Sequence, residues 1–174
     1  MAMKSSLFNM TACLTAVCLV CSGLLGGVYA LTYKSIEKTQ ADILRASIAE
    51  VLPDGGQISD AKTVQLSVGS KTVEYEYYEN VVDGQVTAYA VKSQTGGFGG
   101  PLVLMVGITA DGTVYNTSVL SHNETPGLGA KCQTDAHFMG QFKGFDTSSK
   151  ALKGTKDGGD VDAITASTIT SRAC

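Results

Sequence analysis

Five hydroxyl side chains crowd the stretch from Thr165 to Ser171: Thr165, Ser167, Thr168, Thr170 and Ser171, with Asp162 opening the run. A polar run of this kind can cap a helix, and with Asp162 or Thr165 as the cap a helix is expected through Thr170 and beyond. The same geometry leaves free backbone amides at the helix start. Those amides favour a phosphate, and a threonine hydroxyl held among them could be esterified by one. A second chemical candidate is His122-Asn123-Glu124-Thr125-Pro126-Gly127-Leu128-Gly129. Pro126-Gly127 sets a tight turn. Glu124 and Thr125 can hydrogen-bond the polar edge of a ligand, and Leu128 offers an apolar face. The third is Gly96-Gly97-Phe98-Gly99-Gly100. Without β-carbons its backbone can approach a bound group closely, while Pro101 excludes a helix-start phosphate cradle of the usual kind. Each motif also has a purely structural reading, as cap, polar turn or flexible loop.

Other chemistries lack their residues. His122 and His137 have no Cys/His/Asp cluster at metal-ligand spacing, so no metal is assigned. They have no Gly-x-Ser-x-Gly or Cys-His context for nucleophilic catalysis, and no Walker or dinucleotide-binding pattern occurs. The net charge is −3 and there is no basic stripe, which excludes nucleic acid as a partner.

From Ser5 to Tyr33 no Asp, Glu, Lys, Arg or His occurs. About 20 helical residues cross a bilayer core, so this run is long enough to span with some tilt. A retained single anchor is favoured over a signal peptide cleaved after Val28-Tyr29-Ala30, because the apolar run exceeds a signal core. Cys13, Cys18 and Cys21 lack a lipoprotein-signal context and read as packing residues. Lys4 precedes the segment while Lys34 and Lys38 follow it, so charge does not decide its orientation. Cys132 and Cys174 lie in the soluble part, where the sequence leaves their pairing open.

The elements that must position the motifs follow. Tyr33 to Val51 continues as a helix with Ile36, Ile43, Leu44, Ile48 and Leu52 on one stripe, ended by Pro53-Asp54-Gly55-Gly56. Strands are expected at Thr72–Tyr78, Thr87–Lys92, Leu102–Ile108 and Val114–Leu120, with hairpin turns at Asp83-Gly84 and Asp111-Gly112. The unbroken apolar run Leu102–Ile108 reads as the central strand. Gly129 to Phe145 is helical or irregular, anchored by Phe138, Phe142 and Phe145. Residues 151–159 form a polar loop, and Asp160–Ile164 a short strand. The fold class is α+β: a single N-terminal transmembrane helix followed by an antiparallel sheet with helices at one side. Residues 1–33 are the anchor, 34–56 a stalk helix and linker, and 57–174 the domain.

Gly97-Phe98-Gly99-Gly100-Pro101-Leu102, Val106-Gly107-Ile108 with Asp111-Gly112, His122-x-Glu124-Thr125-Pro126-Gly127-Leu128-Gly129 and Asp162-x-x-Thr165-Ala166-Ser167-Thr168-x-Thr170-Ser171 follow one another in order. Together they resemble the FMN-binding domain of the Rnf and Nqr complexes. Over its whole length the chain is similar to the G subunit of the Rnf electron-transport complex, the counterpart of the Nqr C subunit. The family's flavinylation pattern, Asp-x-x-Ser/Thr-Gly-Ala-Thr followed by x-Thr, implies a covalent FMN phosphoester on Thr168. It makes Asp162 the residue that the flavin transferase recognises, with Thr165 as the Ser/Thr and Thr170 as the trailing threonine. Ala166 stands in place of Gly and Ser167 in place of Ala, and Ser167 adds a second hydroxyl beside the acceptor.

The resemblance further implies that Glu124, Thr125, Gly127, Leu128 and Gly129, with Gly99 and Gly100 of the glycine loop, contact the flavin. It implies a redox subunit of an ion-translocating ferredoxin:NAD oxidoreductase rather than an enzyme alone. Its partners would be polytopic membrane subunits, iron–sulfur subunits, a flavin transferase and the lipid bilayer, with the FMN domain on the outer face of the cytoplasmic membrane. Absence of long insertions leans towards Rnf. The alternatives are the Nqr C subunit, a stand-alone flavinylated reductase domain, or a membrane-tethered binding module without redox chemistry. Family members usually continue past the hydroxyl run with a helix, which implies a further segment beyond Cys174.

Overall fold

The computed structural model describes residues 7–68 and 71–174; Lys4 and the start of the apolar run lie outside them. No proline interrupts the chain before Pro53, and the first helix, α1, runs unbroken over Leu7–Val51. The chain divides into two units at Asp42/Ile43. In the first unit α1 is apolar, long enough to cross a membrane and uncovered by the protein. Two of its hydroxyls bond back within the helix: Thr11 and Thr32 donate to the carbonyls of Leu7 and Val28, each at 2.9 Å, which lowers the penalty for a polar group in hydrocarbon.

The second unit starts inside the segment expected to be stalk. Its strands are β1 (Gln57–Ile58), β2 (Lys62–Val68), β3 (Lys71–Val82), β4 (Gln85–Gly96), β5 (Pro101–Thr109), β6 (Thr113–Ser121) and β7 (Phe145–Asp146). They form one antiparallel sheet in the order β1-β3-β4-β5-β6-β7, with β2 also paired to β3. Both expected hairpins are present. Asp83 (φ 52°) and Gly84 (φ 80°) make the two-residue link between β3 and β4, the backbone of a type I′ turn. Gly112 (φ 88°) closes the longer link between β5 and β6. Strand β2 was not anticipated, although Val64, Leu66 and Val68 alternate cleanly. The expected strand at Asp160–Ile164 is absent: this stretch makes a single bridge, Val161 to Gly154. Val161 and Ile164 instead drop into the core as isolated anchors.

Strand β5 is central, and alternation sends its side chains to two different cores. On one face Met105 joins Tyr78, Ala88 and Ala90 beneath the last turns of α1, where Ile48, Val51 and Leu52 are buried. The helix sits directly on the sheet because β5 has a glycine below it: a β-carbon on Gly107 would overlap the Val51 carbonyl oxygen. The C-terminal end of α1 is held by side chains, as its unpaired carbonyls require. Asn116 Nδ2 donates to Glu50 O (3.1 Å), and the buried Asn80 donates to Pro53 O (3.1 Å). On the other face Leu102 and Leu104 pack with Val114, Val119 and the three anticipated anchors Phe138, Phe142 and Phe145. The anchors are carried by short helices α2 (Lys131–Thr134) and α3 (Ala136–Gly140) and the segment after them. Asp135 caps α3 by accepting from His137 N and Phe138 N.

The close seat of α1 on β5 generates a prediction. Gly107→Ala forces a backbone carbonyl to move, so it should destabilise the domain by about 1–3 kcal/mol, read as a fall in thermal midpoint of the detergent-solubilised chain.

Candidate functional site

The second and third motifs meet the first around one carboxylate. Glu124 follows β6 and is buried, only 6% exposed. Its Oε1 accepts from the backbone N–H of Gly99 (3.2 Å), and its Oε2 accepts from the hydroxyl of Thr170 (2.8 Å). Its own N–H donates to His122 Nδ1 (3.1 Å), which puts the ring proton on Nε2, facing Gln133 Oε1 at 3.1 Å. The glycines around it leave room for this carboxylate. A β-carbon on Gly97 or Gly129 would overlap a Glu124 carboxylate oxygen, and one on Gly99 would overlap the Asn123 carbonyl.

The turn after Glu124 forms as its residues dictate. Leu128 N–H donates to Thr125 O (3.2 Å), and Gly127 has φ 76°, so Pro126-Gly127 occupies the centre of a type II turn. The Thr125 carbonyl also accepts from Ala130 N (3.1 Å).

The hydroxyl run departs from the expected cap. Helix α4 covers Thr168–Ala173, with Ser167 at its N-cap position and no side-chain capping bond. The helix does not start at Asp162 or Thr165 because Ala166 is left-handed, φ 62°, and breaks helical continuity there. Asp162 is exposed, its main chain clamped by the Gln141 amide: Asp162 N donates to Gln141 Oε1 (2.7 Å) and Gln141 Nε2 to Asp162 O (3.2 Å). The helix is held from outside by Arg172, which grips both Asp157 carboxylate oxygens at 2.7 and 2.8 Å and keeps the Asp157 carboxyl below its usual range.

These elements enclose a cavity of about 340 Å³, in the range of small-molecule sites. Of the residues singled out from the sequence, Glu124, Thr125, Leu128, Gly129, Ser167, Thr168 and Thr170 line it. Asp162, Thr165, Gly99, Gly100 and Gly127 are not on its wall; Gly99 and Gly127 shape the loop and turn behind it. Three lining residues were not singled out: Phe98, Ala166 and Ile169. Phe98 is 70% exposed. A lone aromatic ring between pairs of glycines was the signal, since no core can form there to bury it. Leu128 and Ile169 add exposed apolar surface beside the ring.

The five hydroxyls of the run separate by environment. Thr170 is buried and donates to Glu124. Ser171 donates to Ser167 O (2.9 Å) and accepts from Ile164 N. Ser167 is buried, and Thr165 is exposed away from the cavity wall. Thr168, the first residue of α4, is half-buried on that wall, and its hydroxyl enters none of these bonds.

Two stability changes follow. Thr170→Val leaves a buried carboxylate oxygen without its donor and should cost about 1–3 kcal/mol. Ala166→Gly relieves about 1–2 kcal/mol of left-handed strain, partly offset by added backbone freedom when unfolded. Urea titrations should therefore show the second variant slightly more stable than the parent.

A family model for the FMN-binding domain matches residues 97–174. The G subunit of the proton-translocating ferredoxin:NAD(+) oxidoreductase complex of Clostridium ljungdahlii is 32% identical over 98% of this chain and 86% of its own length. The G subunit of the Na(+)-translocating ferredoxin:NAD(+) oxidoreductase complex of Acetobacterium woodii is 33% identical over 82% of this chain and 74% of its own. A crystal structure of Shewanella oneidensis NqrC covers 64% of this chain and 58% of that one, with 26% identity and a TM-score of 0.48. With its match running almost end to end, the chain belongs to the FMN-binding G-subunit family of ion-translocating oxidoreductase complexes.

Proposed function

We propose that this protein is a membrane-anchored electron-transfer subunit of an Rnf-type ion-translocating ferredoxin:NAD oxidoreductase, carrying FMN as a phosphoester of Thr168. The observation that carries the attachment point is the sorting of hydroxyls described above. Thr168 alone among the five combines a place on the cavity wall with partial exposure and a hydroxyl free of those internal bonds. The neighbouring Ser167, the competing acceptor by sequence, is buried and only 7% exposed.

The residues present suit this cofactor. Phe98, Leu128 and Ile169 supply exposed apolar surface for a flat ring system, and an aromatic neighbour favours offset or edge contact with it. The first amides of α4 have no intrahelical acceptor, and the Ser167 side chain caps none of them, so they remain available to the phosphate. Bound FMN supplies the electron-carrying chemistry, while the protein supplies position and environment. Exposed Asp162 and Thr165 give a flavin transferase a surface to recognise ahead of the acceptor. Helix α1 anchors the protein in the cytoplasmic membrane, with the domain on the extracytoplasmic side among the polytopic and iron–sulfur subunits of the complex.

Co-expression with a flavin transferase tests the attachment. The intact mass should exceed that of the polypeptide by one FMN less one water, and the band should fluoresce on a denaturing gel. Thr168→Val should abolish both signals. A wild-type chain without flavin overturns the reading, and a fluorescent Thr168→Val band moves the acceptor to another hydroxyl. Phe98→Ala should keep the covalent flavin but raise its fluorescence in the native protein, because the ring loses its aromatic neighbour. A C-terminal alkaline phosphatase fusion should be active only if the domain lies outside the cytoplasm.

A further inference from the structure

Behind the cavity wall, two cysteines face each other. Gly129 and Thr170 are in contact range, since a β-carbon on Gly129 would lie 2.9 Å from Thr170 Oγ1. From that point each chain makes one helical turn. Cys132 N–H donates to Gly129 O (2.9 Å), and Cys174 N–H donates to Thr170 O (3.1 Å). The two turns bring Cys174 against the core cluster that contains Cys132, with each thiol close enough to shift the other's titration. Cys132 is fully buried in the core beneath the sheet, and Cys174 packs against the same cluster. Both are free thiols here.

We propose that Cys132 and Cys174 form a disulfide that clamps the Thr125–Gly129 turn to α4, one helical turn behind the flavin cavity. The oxidant is a low-molecular-weight disulfide such as glutathione disulfide. Its route is a second cavity of about 510 Å³, whose wall includes Cys174, Lys153 and Arg172. Lys153 offers a positive charge to the carboxylates of that oxidant, whereas Arg172 is already paired with Asp157. Cys174, the more exposed thiol, attacks as the thiolate and forms a mixed disulfide, releasing one glutathione. Cys132 then displaces the second. Two protein S–H bonds and one glutathione S–S bond are consumed; one protein S–S bond and two glutathione thiols are formed, with two electrons passing to glutathione. Burial pushes Cys174 up to about 12 and Cys132 upward as well, so exchange is slow in both directions at neutral pH.

The purified full-length chain, equilibrated in glutathione buffers from reducing to oxidising, acid-quenched, alkylated and digested with trypsin, provides the test. At the oxidising end the peptide 132–143 should be linked to the tryptic peptide that begins at Ala173. The thermal midpoint should fall by roughly 10 °C on reduction. Cys132→Ala should abolish the shift and leave Cys174 as a mixed disulfide with glutathione. Alkylation of both thiols, or separate glutathione adducts on each, at the most oxidising ratio overturns the proposal. The flavin mass travels on the distinct peptide 157–172, so loss of the flavin reading and loss of the disulfide are told apart in one digest.

Discussion

The carboxylate of Glu124 is the interaction on which the site depends. Three segments distant in sequence converge on it: the glycine loop between β4 and β5, the turn after β6, and α4. Packing offers them few anchors: α4 buries Ala173, and the loop and the turn bury no apolar side chain. A buried carboxylate solves this because it is expensive to leave unsatisfied and can accept from several donors at once. Gly99 N–H and Thr170 O–H provide two of them. The glycines then follow as a steric consequence: Gly97 and Gly129 are small because Glu124 fills the space their side chains would need. What looked like a flexible loop is a fitted socket.

Much of the sheet was legible beforehand because its signals are local. Asp83-Gly84 and Asp111-Gly112 each sit between alternating runs, and the short apolar run Leu102–Ile108, bounded by turn signals, reads as a strand covered on both faces. The apolar start of α1 was equally plain. The C-terminal third was harder. Residues 151–167 hold only isolated apolar anchors, Val161 and Ile164, with no period to read, and their path is set by backbone bonds to residues 151–154. The start of α4 was misplaced for a related reason. Asp162 and Thr165 are good capping residues, but the left-handed turn at Ala166 delays the helix to Thr168; alanine by itself gives no warning of positive φ, and only the glycine of the family pattern at this position hinted at it.

The site residues were named from motifs, yet motifs do not say which side chain faces the cavity and which faces Glu124. Gly99 and Thr170 were chosen for possible ligand contact; both bond to Glu124, and only Thr170 also reaches the cavity wall. Phe98, passed over between its glycines, is the most exposed large apolar side chain on that wall. The order of roles runs from the inside out: glycines make space for the carboxylate, the carboxylate fixes loop and helix, and these present Phe98, Leu128 and Thr168 to the cavity.

The shape of this cavity bears on why a covalent cofactor suits it. Its apolar walls are half-exposed, with Phe98, Leu128 and Ile169 all open to solvent. Such walls bury little of a ligand's surface, and affinity depends on that burial together with a few well-placed polar contacts. The proposed phosphoester on Thr168 would make ring docking intramolecular, so weak wall contacts would suffice at a high effective concentration. The same openness would leave one edge of a ring held there accessible to a partner protein, which a deeply enclosed site would deny. The strained residue at Ala166 fits this division of labour. Strain of about 1–2 kcal/mol at one residue is tolerable in a chain segment whose neighbours on both sides, Ile164 and Thr170, are buried. That turn keeps Thr168 at the start of the helix, half-buried on the cavity wall rather than inside the core.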